Sequence, residues 1–339
     1  MLATALLLLM APFMAMVQTF LQTANKRYMT ERSRSAGFSL WYLVQSIGAA
    51  AGDFLIDLIR QGLGWSNSHV FTVGAVVALH CSAATIAMVR TEAQRGGGTE
   101  GAAAAPIAPT GAARGSSPWA IGMAVLKESA FWRLIVLILL MPKYWLRTIG
   151  EDAAIGSLQA INPILIVVGI VLFIPFASRW RVFSMLVWGA MISGASLLAL
   201  ALPWGWLAGD LATAHLRMSI LAMILLSVGE VVWSPKLYEY TAAIAPSGQE
   251  GTYLGVSSVP WFAAKTLVSV VSGHLLVRYC PEGIGPRPAA GAVPYWDGPA
   301  PMWLWLSLYA LLGCAGALLL RGWLTRGMVE RPPEASPAG

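Results

Sequence analysis

Glu230 and Lys265 are the residues of this chain best placed to do chemistry. Each is ionisable, and each stands in a long apolar stretch of a sequence that otherwise keeps charge out of such stretches. Charge is costly inside a bilayer, so residues of this kind face a bundle interior or a water-filled cavity. A carboxylate there can exchange a proton or hold a cation; an ammonium can hold an anion or pair with the carboxylate. Around the acid the sequence reads Gly229-Glu230-Val231-Val232-Trp233-Ser234-Pro235-Lys236-Leu237-Tyr238-Glu239-Tyr240. Pro235 has no backbone N–H, so it disturbs helical hydrogen bonding and can bend the segment beside the acid. Such a bend suits gating and the binding of a cation or proton. The plainer reading is a structural kink with a carboxylate satisfied by a neighbouring helix.

The turn Ala245–Gly251 separates this segment from the next, where Gly255 permits close helix approach and Pro260 can bend the chain. Lys265 then has two readings: it pairs with Glu230 or an anionic substrate group, or it snorkels to the interface. Asp53 and Asp57, four residues apart, share one helical face. They form an acidic outer vestibule with Arg60 as local partner, or a solvated helix end; general acid–base work by the pair is a further option.

The elements that must position these residues are membrane helices. Of 339 residues, 57% are hydrophobic and only 11% charged, against roughly 25% charged in a soluble domain. Apolar stretches near the ~20-residue spanning length occur at 2–22, 36–58, 69–90, 131–149, 157–177, 183–205, 216–235, 251–275 and 302–322. The fold class is all-α, a polytopic bundle in a lipid bilayer. The first span lacks the basic leader of a secretory signal and is followed by Asn25-Lys26-Arg27, so it reads as a retained helix. The fourth is short: its uninterrupted apolar run is Leu134–Met141, too little at ~1.5 Å per residue to cross a ~30 Å core. Arg133 and Lys143 at its ends are cavity charges if it is buried and interface anchors if it is not.

The net charge of +6 lies in loops, with Lys26, Arg27, Arg32 and Arg34 in one and Arg90, Arg95, Arg114 and Lys127 around another. With these loops inside, fifteen of the 22 Lys and Arg residues lie inside and six outside. Under the positive-inside rule the N-terminus is outside and the C-terminus cytoplasmic. No basic surface interleaved with aromatics suggests nucleic acid. Cys81, Cys280 and Cys314 and the four His residues are scattered, which predicts no metal site and no cofactor. No nucleophile–base pair or phosphate-cradling loop suggests an enzyme. A Gly/Ala/Pro/Ser-rich tract within 91–130 reads as a cytoplasmic linker. It divides a three-helix N-terminal part, 1–90, from a six-helix bundle, 131–325, with a cytoplasmic tail at 326–339.

Gly229-Glu230, Ser234-Pro235, Tyr238-Glu239-Tyr240 and the following Ala245-Pro246 and Gly251-Thr252-Tyr253-Leu254-Gly255 resemble the proton-dependent oligopeptide transporter branch of the major facilitator superfamily. Arg34–Gly48, with Phe38, Trp41-Tyr42 and Gly48, is similar to that family's fifth helix, and Asn162-Pro163 opens a stretch similar to its eighth. The resemblance runs through most of the chain and is most specific at 229–260. It implies a major facilitator bundle whose nine spans match family helices four to twelve, without the first three. The first helix's acidic/Arg motif is missing with them, Gln45-Ser46 stands where Ile-Asn is expected, and the seventh helix is abbreviated.

The resemblance further implies proton-coupled uptake of peptides or another small polar solute across a cell membrane of the bacterial inner-membrane type. Glu230 would face a peptide amino group or carry the coupled proton. Tyr42 would add a hydroxyl to the same cavity, or pack as an interfacial aromatic. Asn162 would supply an amide, or cap exposed backbone; Pro163, Pro235, Pro260 and Gly255 would shape moving helices. The alternatives are a non-transporting membrane protein that assembles with a partner chain and, more remotely, a membrane-embedded enzyme.

Overall fold

The computed structural model describes residues 21–22, 34–96, 140–177, 180–244, 255, 271–284 and 295–324. Every regular element among them is helical. Helix α1, Arg34–Asp57, continues into a π turn, Leu58–Gly62; α2 is Asn67–Gly96; α3 covers 140–148; α4 is Ile155–Ala177. Helix α5, Val182–Ala195, tightens into a 3-10 turn at Ser196–Ala201. Then come α6, Leu211–Ile244, α7 over 271–279, α8, Ala300–Leu319, and the single turn α9, Arg321–Leu324. Five described helices are long and apolar enough to cross a membrane: Ala36–Gly62, Ile155–Phe173, Val182–Ala201, Leu211–Glu239 and Ala300–Leu319. The chain is a multi-pass helical membrane protein, as its composition requires. Most of the expected first and eighth spans, the stretch 131–139 and the tail at 326–339 lie outside the described residues.

Two helices begin or end differently from the apolar pattern. α2 runs to Gly96, beyond the expected end at 90. α6 starts five residues early because Asp210 caps it: its Oδ2 accepts from the Thr213 backbone N–H at 2.8 Å. That hydrogen bond holds the exposed Asp210 carboxyl below the usual carboxylate range. The capping contribution is therefore complete at neutral pH and fades only as acid protonates the group. α6 also passes through Pro235 rather than stopping there.

α6 is the axis of the bundle, packing against α5 on one side and α4 and α1 on the other. Its seam with α5 is set by glycine. A Cβ at Gly229 would lie 2.3 Å from Ser193 Oγ and 2.6 Å from the Gly189 carbonyl; one at Gly189 would lie 2.8 Å from the Gly229 carbonyl. Only two hydrogen side chains let these backbones meet. Trp233 Nε1 closes the seam by donating to Ser193 Oγ at 3.2 Å.

The largest apolar core lies at the other end of α6, where Leu140, Met141, Tyr144 and Trp145 of α3 are fully buried against Met218, Ala222, Met302 and Trp303. Tyr144 Oη lies 2.7 Å from His215 Nδ1, and its ring meets Trp303 edge-on at 5.1 Å. Arg147 donates to the Cys280 carbonyl at 2.7 Å, fastening α3 to the end of α7. Lys143 is exposed, which corrects its reading as a cavity charge; Arg133 lies outside the described residues. The described part of this short span is thus shielded by its neighbours.

Replacing Gly229 by Ala is expected to destabilise the protein by about 1–3 kcal/mol through overpacking. The thermal midpoint in detergent should fall, whereas Gly48→Ala, whose Cβ meets nothing within 4 Å, should not lower it. Equal midpoints for the two variants would contradict the close α5–α6 seam.

Candidate functional site

The site forms where α1, α4 and α6 meet, and its centre is the Glu230 carboxylate. With Gly229 committed to α5, the next residue along α6 turns toward α1 and α4, and Glu230 is left only 3% exposed. Two neutral donors hold it. Tyr42 Oη, from α1, donates to Glu230 Oε1. Asn162 Nδ2, from α4, donates to Glu230 Oε2 at 3.0 Å and to Ser227 Oγ at 3.2 Å. The Ser227 hydroxyl is itself spent on the Met223 carbonyl at 2.7 Å, so it presents a lone pair. Both neighbours of the amide are therefore acceptors, which fixes the side of Asn162 that carries nitrogen.

Tyr42 is held for this task by aromatic packing. Its ring lies 6.1 Å from Tyr238 and 6.5 Å from Trp41, and those two meet edge-on at 5.2 Å. Ile166, Ile170 and Val231 complete the apolar wall around it. The Tyr42 hydroxyl thus reaches Glu230 while its ring packs in the interior rather than at an interface. Asn162 does not open its helix: it lies about two turns inside α4, and its side chain reaches across helices instead of capping backbone. Pro163, next to it, cannot donate to the Gln159 carbonyl, which weakens the α4 ladder at the level of the site.

A cleft lined by Ser39, Phe173, Met185, Pro235 and Lys236 adjoins the site through Val231, which borders both. Lys236 is buried on it and pairs with Glu239 at 2.7 Å. Both stand in the stretch 229–240 that the sequence singles out, but the sequence assigned them no role; the signal was their i,i+3 spacing directly after Pro235. Tyr238, which carries the resemblance, was likewise given no site role, and Ser227 was missed, although each shares the Glu230 side of α6 by spacing. Gly255 is described only as a half-buried helical residue. Pro260 and Lys265 lie outside the described residues, and with them the expected pairing of Lys265 with Glu230.

No family model matches the chain, and no curated protein does. Among solved structures, the crystal structure of the peptide transporter POT, a glutamate-to-glutamine mutant, is similar at 18% identity with a TM-score of 0.43. The match covers 84% of this chain and 52% of that one, so the chain spans about half the length of the transporter it matches.

Asp57 does not stand at a solvated end, whereas Asp53, on the same face, is half-buried. Asp57 is 8% exposed, and its carboxylate turns to the start of α4 rather than to Arg60. It accepts from the Gly156 N–H at 2.9 Å, the Ser157 N–H at 2.6 Å and Ser157 Oγ at 2.7 Å. A capping carboxylate is normal at a helix start; here it comes from another helix.

The Tyr42–Glu230 contact is open to a double-mutant cycle. Tyr42→Phe and Glu230→Gln, measured singly and together by unfolding in mixed micelles, should show a coupling of about 0.5–3 kcal/mol. Strict additivity would mean that hydroxyl and carboxylate do not interact.

Proposed function

We propose that the protein is a secondary transporter of the major facilitator type, taking up peptides or another small polar solute together with protons by alternating access. One observation carries this reading: a membrane-buried carboxylate, Glu230, is held by neutral donors from two other helices beside a cleft. A carboxylate kept within a bundle at such cost serves ion or substrate chemistry by default. Its described hydrogen bonds come from Tyr42 and Asn162, groups that a protein can rearrange without breaking an ion pair. A proton, or the ammonium of a peptide, can then replace a neutral donor at the carboxylate.

In this mechanism the helices part to admit a substrate to Glu230, because the cleft bordered by Val231, Pro235 and Lys236 has room for about one water molecule as it stands. Tyr42 and Asn162 are positioning residues that hold the acid while the site is empty and yield when it binds. Pro163 and Pro235 weaken the ladders of α4 and α6 at neighbouring levels, so the helices can flex there without unwinding elsewhere. The resemblance at 229–260 supplies the substrate class, and the buried acid supplies the coupling.

The test is uptake in proteoliposomes under an imposed pH gradient, with a pool of di- and tripeptides and a pH-sensitive dye inside. Peptide-dependent proton entry is expected. Glu230→Gln should insert normally and abolish that coupling, a loss of at least about 100-fold in coupled rate, as when a group essential to a proton step is removed. Coupling at the parent rate in Glu230→Gln would remove the acid from the mechanism. Chemical alteration of the peptide without transport would replace the transporter reading by an enzyme.

A further inference from the structure

We propose that Asp57 and the first turn of α4 form a latch that closes one end of the path to Glu230. The end concerned is where α1 finishes and α4 begins. There the Asp57 carboxylate accepts three hydrogen bonds from α4, and Gln61, four residues later in the π turn, donates to the Asp152 carbonyl at 3.3 Å. The seat is shaped for closure: a Cβ on Gly156 would lie 2.1 Å from the Asp53 carbonyl and 2.8 Å from the Asp57 carboxylate. Backbone therefore rests on backbone, and the two helix ends leave no room for a solute between them.

The same two helices carry Tyr42 and Asn162, the two donors to Glu230. α1 and α4 are thus tied twice, once at their facing ends by Asp57 and once at the level of the acid. Parting them at the latch end exposes the intervening faces, on which Ala50 of α1 and Ala160 of α4 are buried, 9% and 0% exposed. Gly156 can be seated only when Asp57 accepts its buried N–H, so the hydrogen bond and the backbone contact form or break together. That is the property a gate requires. The purpose of the latch rests on the transporter reading, but its existence does not.

The experiment reads access without substrate or proton gradient, so its failure is distinguishable from failure of the transport reading. Cys81 is replaced by Ser, Ala50 by Cys, and the labelling rate with a bulky water-soluble maleimide is followed on the detergent-purified chain. Slow labelling is expected with the latch intact. Asp57→Ala and, separately, Gly156→Ala should each raise the rate at least about tenfold, the shift expected when one hydrogen bond to a charged group is lost. Asp57→Asn keeps one acceptor oxygen and should fall between. Gly156→Ala leaves every charge in place, so it keeps the comparison decisive if Asp57→Ala does not fold. An unchanged rate in Gly156→Ala, or fast labelling already with the latch intact, overturns the proposal.

Discussion

A carboxylate cannot be left alone among apolar side chains, and the arrangement of this bundle follows from that constraint at Glu230. An unsatisfied buried charge costs several kcal/mol, and the backbone N–H groups of α6 at that level are engaged in the helix. The donors that meet the carboxylate come from other helices. Tyr42 and Asn162 meet the requirement only if α1 and α4 both lie against the same face of α6. The packing of three helices is thus specified by polar groups, while the apolar contacts around them supply attraction with little direction.

Glycine at 229 makes the opposite face of α6 do different work. Its backbone meets that of Gly189 so closely that no side chain fits between them, and Trp233 fixes the seam with a hydrogen bond. α5 and α6 are therefore the most closely seated pair around the site. The face toward α1 and α4 meets its neighbours through side chains: a tyrosine hydroxyl, an amide and Val231, which sits on Gly169 of α4, where a Cβ would lie 2.6 Å from Val231 Cγ2. One helix thus meets backbone on one side and side chains on the other.

Sequence made the members of this site legible by type and left their meeting illegible. Glu230 stands out because it is charged within an apolar run, and Pro235 because it interrupts one. The readings of Tyr42 and Asn162 stayed double because hydroxyls and amides in membrane helices can serve packing, capping or a site equally well. Only the crossing of α1, α4 and α6 decides among these. Asp57 shows the limit more sharply. Its spacing from Asp53 reports a shared face, but its partners are backbone groups of Gly156 and Ser157, about a hundred positions away, and backbone donors leave no mark in a sequence. Local caps are different: Asp210 and Thr213 lie within one turn, and the early start of α6 follows from them.

The two ties between α1 and the rest also divide the labour of specificity. Tyr42 and Asp57 are separated by roughly 22 Å of helix at 1.5 Å per residue, so neither can compensate for loss of the other by a local shift. The Tyr42 bond is made in a low-dielectric interior, where a made bond is strong and an unmade one costly, whereas the Asp57 bonds to Ser157 are part-buried at the helix ends. An apolar interface alone would let α1 slide along α4 by small steps, each nearly as good as the last. Two polar contacts at fixed separation remove that freedom, because a slide that strains one strains both. Movement between these helices must then break the ties rather than shift them gradually.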